Sequence, residues 1–172
     1  MRAIATSRLS LEPQVAAHAE EMFRVLDDPA IYEYENEPPP SVEWLRARYA
    51  RLESRRCPDG REQWLNWVLR LPSSELIGYV QATVDSNDRA KIAYVLSSRF
   101  WGRGLAREAV EAMISELVGD YQVRALCAVL KAANRRSRRL LERLGFSVAS
   151  PESGAGSAIE VDELLMVREI HP

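Results

Sequence analysis

The chain contains 172 residues, of which 47% are hydrophobic and 28% charged, as expected for one globular domain spanning 1–172. Its formal net charge of −2 argues against nucleic acid or an anionic membrane as an obligatory partner, and no apolar run is long enough to span a bilayer. Two cysteines and two distant histidines form no disulfide or metal-ligand pattern, so we expect a cytoplasmic protein without a metal site.

The N-terminal part of the chain predicts a strand and two helices. Residues 7–11 have the alternation of a strand, and Pro13 then fits the first turn of a helix that ends before Pro29. Ser41 is a favourable N-cap for a second helix, whose apolar stripe is flanked by arginines.

The loop between these helices interleaves tyrosines with carboxylates and ends in three prolines. Glu33 and Glu35 lie beside Tyr32 and Tyr34, a combination that attracts and stacks a cationic amine. The alternative is a solvated acidic loop whose tyrosines pack on its own base.

The middle of the chain predicts an antiparallel meander. Segments 64–71 and 75–84 alternate as strands, and the polar turn 85–88 leads into a third strand at 92–96. A later apolar segment, 123–130, must lie parallel to that third strand, because a helix connects the two.

That connecting helix is predicted to begin near Leu105, where apolar residues start to recur in two adjacent rows. Most of its other side is taken by Arg107, Glu108, Glu111 and Glu116. Just before the helix, Gly102 and Gly104 let the backbone turn with several N–H groups pointing the same way. Such groups at a helix N-terminus bind phosphate or pyrophosphate, although a glycine pair is also found in plain tight connections.

The C-terminal part completes the sheet. Asn134 is predicted to cap a helix that ends at Gly145 in the left-handed conformation. Strands at 146–149 and 159–170 follow, joined by a linker at 151–157 that is rich in glycine and serine. The order of elements predicts an α/β fold of the α+β type, with a mixed, mostly antiparallel sheet of about six to seven strands and helices on both faces.

Two segments resemble the signatures of the GNAT acyltransferase superfamily. Arg99-Phe100-Trp101-Gly102-Arg103-Gly104 is similar to its acetyl-CoA loop, Gln/Arg-x-x-Gly-x-Gly/Ala. The segment 133–146 is similar to its second signature, Asn-x-x-Ser/Ala followed by Leu-Gly-Phe. Both occur in the expected order with a strand between them, and the flanking residues resemble the branch that acetylates ribosomal-protein N-termini.

The resemblance implies a sheet that splays between the strands ending near Leu96 and Leu130, with acetyl-CoA in the gap. The N–H of Val95 or Leu96 is then expected to polarise the thioester carbonyl. The cofactor-binding residues that the resemblance implies are Tyr94, Val95, Leu96, Arg99, Phe100, Trp101, Gly102, Arg103, Gly104, Leu105, Ala106, Asn134, Ser137 and Arg138.

The resemblance also bears on catalysis. Many family members carry a tyrosine seven residues after the asparagine that opens the helix, but here that position is Leu141. Ser137 matches the serine of the ribosomal-protein branch and is expected to hydrogen-bond the leaving sulfur, the alternative being a helix-surface serine. The general base stays open among Glu33, Glu35, Glu160, Glu163 and ordered water.

Four arginines open the second signature helix, where cations oppose the helix dipole, so an anion such as the 3′-phosphate of CoA is expected nearby. RNA and a solvated face are the alternatives. These residues are Arg135, Arg136, Arg138 and Arg139.

The resemblance favours an acetyl-CoA-dependent N-acetyltransferase that is monomeric or homodimeric. It would move the acetyl group directly to a primary amine, either a protein N-terminus or a small amine such as an amino acid, a polyamine or a drug. A non-catalytic regulatory module that binds acyl-CoA with the same fold is the alternative.

Overall fold

The computed structural model describes residues 1–34, 37–149 and 160–170. Within these ranges the chain forms four α-helices and one sheet of eight strands. The strands are β1 (Ile4–Ala5), β2 (Ser10–Pro13), β3 (Gln63–Arg70), β4 (Leu76–Val84), β5 (Arg89–Leu96), β6 (Ala125–Lys131), β7 (Ser147–Val148) and β8 (Glu163–Glu169). The helices are α1 (Ala19–Leu26), α2 (Val42–Leu52), α3 (Leu105–Asp120) and α4 (Arg135–Arg143).

The strands follow the order β1-β2-β3-β4-β5-β6-β8-β7, and β5–β6 is the one parallel pair among the described strands. The predicted mixed, mostly antiparallel sheet is therefore confirmed. The predicted strand count was too low, because β1 contains two residues and so shows no alternation in the sequence.

The sheet splays where the resemblance predicted it. Strands β5 and β6 pair only from Arg89 to Lys91 on one side and from Ala125 to Cys127 on the other. Beyond these residues β5 continues to Leu96 and pairs with no described strand on its β6 side, while β6 stays paired with β8 along its whole length. A gap therefore opens between the carboxyl ends of two parallel strands, where open α/β sheets bind ligands.

Helices cover both faces of the sheet. The larger buried cluster includes Trp67, Met113 and Leu141 and joins α3 and α4 to one face. The smaller cluster joins α1 and α2 to the other face and contains Ala19, Met22, Leu26, Leu45, Tyr49, Val68 and Leu76. None of the helices in the described ranges has the length and apolar content that a membrane span needs.

The first 30 residues differ from the prediction. Strand β2 begins at Ser10 rather than Ser7, because Thr6 and Leu9 close a turn through hydrogen bonds of 2.8–3.0 Å. Pro13 belongs to β2, where it pairs with Trp67, and not to a helix. The proline lies beyond the residues that pair with β1, so its missing N–H breaks no bond of that ladder. Helix α1 starts only at Ala19, after a short 3-10 turn.

One acidic residue of α3 lies on the opposite side from the prediction. Glu116 is only 6% exposed and accepts hydrogen bonds of 2.8–3.1 Å from the Arg2 guanidinium. The N-terminal segment folds over this part of the helix, a contact between residues 114 positions apart that helical periodicity cannot predict. The predicted caps at Ser41 and Asn134 and the left-handed Gly145, with a φ of 82°, are confirmed.

Candidate active site

The loop between β5 and α3 exposes its backbone. Gly102 and Gly104 have φ values of 75° and 76°, in the left-handed region that favours glycine, and Gly104 is the N-cap of α3. A Cβ atom at Gly102 would meet no atom within 4 Å, so a ligand can reach the peptide there. The first N–H groups of α3 have no partner within the helix and lie at its positive end. This loop therefore has the geometry of an anion site.

A hydrogen-bonded cluster next to this loop, which we call the clasp, consists of Thr6, Ser7, Arg8 and Glu108. It is bonded to the loop through Arg8. Arg8 Nη1 donates to the carbonyl oxygen of Arg103 at 2.8 Å. Because a trans peptide points its C=O and N–H in opposite directions, this bond turns the next N–H, that of Gly104, away from Arg8. The clasp therefore orients one of the donors of the anion site.

Glu108, in the first turn of α3, anchors this clasp. Its carboxylate accepts hydrogen bonds from the hydroxyls of Thr6 and Ser7 at 2.7 and 2.9 Å, and from the backbone N and Nε of Arg8 at 2.9 and 2.6 Å. Burial by itself would raise the pKa of Glu108, but these hydrogen bonds outweigh it and lower the pKa to about 2.

Four arginines surround a cavity above the glycine loop, which we call the loop cavity. They are Arg107, Arg136, Arg139 and Arg143. The last three recur at intervals of three and four residues, which places them on one face of α4. No acidic residue is found among the described residues that line this cavity. Sequence reasoning missed Arg107 and Arg143, although the helical spacing in α4 was a usable signal.

Three other arginines that were expected to bind the cofactor are not among the described residues that line the loop cavity. Arg99 Nη1 lies 3.2 Å from a carboxylate oxygen of Glu75, and Arg138 Nε donates to Glu142 at 2.9 Å. The guanidinium of Arg103 lies 5.4 Å from the centre of the Phe100 ring. Arg136, by contrast, lies 3.7 Å from the centre of the Trp101 ring, and both side chains line the loop cavity.

The hydrogen-bonding direction of β5 decides which backbone groups face the gap. At the start of β5, the carbonyl oxygen of Arg89 accepts a hydrogen bond from the N–H of Asp85, in the turn after β4. Just after its end, the N–H of Ser97 donates to the carbonyl oxygen of Ile77 in β4, so both groups face the β4 side. Direction alternates along an antiparallel strand, so the backbone of Val95 also faces β4, whereas that of Tyr94 and Leu96 faces the gap. Of the two N–H groups predicted to polarise a thioester carbonyl, only that of Leu96 points into the gap.

One of the backbone groups of β5 that face the gap is already hydrogen-bonded to the indole of Trp101. Its Nε1 donates to the carbonyl oxygen of Leu96 at 2.8 Å. This bond links the end of β5 to the glycine loop and leaves the N–H of Leu96 and both backbone groups of Tyr94 directed into the gap.

Two hydroxyl groups meet across the gap. Tyr94 Oη lies 2.6 Å from Ser137 Oγ, and either hydroxyl can donate. Ser137 is held in the first turn of α4 by its N–H, which donates to the capping Asn134 Oδ1 at 3.1 Å. Burial raises the pKa of Tyr94 to about 12, while its hydrogen bond to Ser137 acts in the opposite direction. Tyr94 therefore keeps its proton near neutral pH. Sequence reasoning had assigned a role only to its backbone.

Three cavities adjoin one another, each sharing lining residues with the next, and we call this row the cavity path. The gap cavity, which includes Tyr94 and Ser137, shares Trp101 and Arg136 with the loop cavity. On its other side it shares Ile31 and Val95 with a third cavity. We call this third cavity the α2 cavity, because Leu45, Arg48, Tyr49 and other residues of α2 line it.

The candidate general bases are not brought together at this path. Glu33 is exposed and is not among the residues that line the three cavities, and Glu35 lies outside the described residues. Glu160 and Glu163 form ion pairs with Lys131 instead. Among the described residues that line the α2 cavity, the carboxylate is that of Glu37, which was not among the predicted bases.

Known proteins share both the sequence pattern and the fold of this chain. Residues 8–147 match the family described as acetyltransferase (GNAT) domain. A segment of 69 residues is 28% identical to the uncharacterized protein YkkB of Bacillus subtilis (strain 168). The match covers 40% of this chain and 40% of that relative.

Two solved structures share the fold over nearly their whole length. The RimL ribosomal L7/L12 alpha-N-protein acetyltransferase, solved in complex with coenzyme A, gives a TM-score of 0.80 at 17% identity and covers 98% of both chains. A spermidine N-acetyltransferase chimera from Vibrio cholerae gives a TM-score of 0.76 at 16% identity, covering 95% of this chain and 96% of that one.

Proposed function

Because the chain belongs to the acetyltransferase (GNAT) domain family, we propose that it transfers the acetyl group of acetyl-CoA directly to a primary amine. The acceptor is a protein N-terminus or a small amine. The observation that carries this proposal is the row of adjoining cavities from the glycine loop, along the gap in the sheet, to the α2 cavity. Such a path has a place for an anion at one end, for an extended arm in the middle and for an acceptor at the other end.

The glycine loop fits the diphosphate of the cofactor. The open space at Gly102 and the free N–H groups at the start of α3 suit phosphate oxygens, and Arg107, Arg136, Arg139 and Arg143 supply charge from α3 and α4. In this proposal these four arginines take the role that the sequence had assigned to Arg99, Arg103 and Arg138.

The exposed edge of β5 fits the amide-containing arm. The N–H and C=O of Tyr94 and the N–H of Leu96 point into the gap and can bond to an extended chain as a neighbouring strand would. Val95, whose side chain lines both the gap cavity and the α2 cavity, marks the point where the arm would meet the acceptor.

The chemistry requires a donor to the carbonyl oxygen and a proton for the leaving sulfur. Acetyl-CoA supplies a thioester, which a neutral amine attacks with release of the CoA thiol. In this chain the N–H of Leu96 is the candidate donor to the carbonyl oxygen. The Tyr94–Ser137 hydroxyl pair is the candidate proton source, because both hydroxyls are neutral and line the gap cavity.

Deprotonation of the amine has less support from the geometry. Glu37 is the acidic residue among the described residues that line the α2 cavity, and it is exposed to solvent. We therefore propose that the acceptor ammonium loses its proton to water at the mouth of the α2 cavity, with Glu37 attracting the cation.

A glycine substitution tests the placement of the cofactor. Gly102→Glu puts a carboxylate in the open space at the proposed diphosphate site, so acetyl-CoA should raise the melting temperature of the wild type but not that of the variant. Gly60→Glu is the matched control, because Gly60 also has a positive φ, 74°, and open space around it, but lies in a distant turn. The variant pair separates loss of cofactor binding from backbone strain.

Release of CoA thiol tests turnover. A panel of ribosomal-protein N-terminal peptides, polyamines and amino acids should contain at least one amine that releases the thiol from acetyl-CoA. A wild-type protein whose melting temperature does not change with millimolar acetyl-CoA contradicts the proposal. A shift without thiol release from any amine favours the non-catalytic acyl-CoA-binding module.

A further inference from the structure

The end of the α2 cavity contains two buried polar groups that lack partners. Gln14 is 3% exposed and Tyr49 is 4% exposed. Among the described residues, neither Gln14 Nε2 nor the Tyr49 hydroxyl has a hydrogen-bond partner. Buried polar atoms without a partner are rare in folded proteins. Both residues line the α2 cavity, although the two unpaired atoms themselves have almost no accessible surface. A ligand in that cavity supplies the missing bonds when the two side chains shift toward it.

Both residues are held by contacts of their own, Gln14 through its backbone and Tyr49 through packing. The N–H of Gln14 donates to the carbonyl oxygen of Asn66 at 2.9 Å, and the carbonyl oxygen of Gln14 accepts from Arg55 Nη2 at 2.7 Å. Tyr49 lies on the buried side of α2 and packs in the smaller core cluster. Burial also raises the pKa of the Tyr49 hydroxyl, so this group keeps its proton and can both donate and accept.

The other polar residues of the cavity indicate what kind of group it binds. Asn66 and Gln81, like Gln14 and Tyr49, are uncharged. The charged lining residues Glu37 and Arg48 are exposed, and Arg55 is not among the lining residues. None of the described residues that line the buried end carries a charge, so a carboxylate or an ammonium there would lose its hydration without touching a lining counter-ion. An apolar group would leave the two buried atoms unpaired.

We propose that the α2 cavity selects ligands that carry a neutral carboxamide, which pairs with Gln14 and Tyr49. The inference rests on the proposed function in one respect: if the chain is an acetyltransferase, this ligand is its amine acceptor. Sites built around buried hydrogen-bonding groups discriminate strongly against analogues that lack the matching group.

Two sets of dipeptide amides with nearly isosteric first residues test the inference by binding alone. The first set is asparaginyl-, leucyl- and aspartyl-alanine amide, and the second is the longer set with glutamine, methionine and glutamate. Dissociation constants are measured by calorimetry for the full chain, with and without CoA. In at least one set we expect the neutral amide to bind at least about tenfold more tightly than both isosteres. Equal affinities, or a preference for the apolar or the acidic member, would overturn the inference.

Two tyrosine variants identify the group responsible. Tyr49→Phe should reduce the preference for the amide to less than about threefold without lowering the melting temperature of the free protein, because its hydroxyl has no partner to lose. Tyr32→Phe is the matched control, since Tyr32 lines the same cavity but already donates to the carbonyl oxygen of Leu26 at 2.6 Å. It should lower the melting temperature and keep the preference. The opposite pattern would refute the role of Tyr49.

The same measurements separate this inference from the proposed function. Preferential binding of the amide without release of CoA thiol would retain the inference and reject acetyl transfer to these ligands. Thiol release at equal rates from all members of both sets would retain acetyl transfer and reject the inference.

Discussion

The clasp between the N-terminal residues and the glycine loop indicates that Glu108 stabilises the folded protein. Replacing it in Glu108→Gln keeps the volume of the side chain but removes the charge that holds Arg8. The four hydrogen bonds that Glu108 accepts lower its pKa from an ordinary value of 4.5 to about 2. The stabilisation that they supply should be lost in the variant.

The size of the effect follows from the pKa. A difference between 4.5 and about 2 corresponds to about 3 kcal/mol, at about 1.4 kcal/mol per pH unit. The side chain of Arg8 is 50% exposed, so solvent screens part of this interaction, and we expect a loss of about 1–2 kcal/mol at pH 7. Because the pKa is lower in the folded protein, the stabilisation is complete above about pH 4.5 and decreases as the pH falls toward 2.

Urea unfolding of the wild type and the variant at pH 7, 5, 4 and 3.5 measures this difference. The free energies of unfolding should differ most at pH 7 and 5, and their difference should be smaller by about 40% at pH 3.5, which lies between the two pKa values. Glu111→Gln, an exposed position of the same helix, is the control and should change the free energy by less than about 0.5 kcal/mol. A difference that does not depend on pH, or one as small as that of the control, would refute the reasoning.

Two further predictions concern the sheet and the chemistry. Gly78→Ala would place a Cβ atom 2.1 Å from the carbonyl oxygen of Val95, so β4 and β5 must separate, and the free energy of unfolding measured in urea should fall by about 2–4 kcal/mol. Gly119→Ala, in α3 with no atom within 4 Å, should instead raise it by about 0.5 kcal/mol, and equal effects would contradict the close approach. Tyr94→Phe removes the hydroxyl that meets Ser137, so kcat for thiol release should fall by about tenfold or more while the Kd for acetyl-CoA stays within about twofold. An unchanged kcat would exclude this hydroxyl as a proton source.

Features that depend on neighbouring residues in the chain were predicted well. The left-handed Gly145, the caps at Ser41 and Asn134 and the apolar rows of α3 each follow from local backbone or helical geometry. The two signatures led to the GNAT family, which the match over residues 8–147 confirms.

Features that depend on distant residues were missed. The burial of Glu116, the clasp at Glu108 and the meeting of Tyr94 with Ser137 join residues that lie 43 to 114 positions apart. No local periodicity encodes such pairs, because each depends on where the sheet brings two elements together. Pro13 was assigned to a helix for a related reason: the preference of proline for a first helical turn competes with pairing to β3, which is visible only in the folded chain.

The separation of β5 from β6 also bears on self-association. An unpaired strand edge on the outside of a protein recruits strands from other molecules and promotes aggregation. Here the unpaired edge of β5 faces inward, and Ser137 and Leu140 of α4 line the cavity beside it. Helix α4 therefore lies over this edge, and covering an edge with a helix is one way in which proteins keep strands of other molecules from pairing with it. We expect that the gap in the sheet does not promote aggregation.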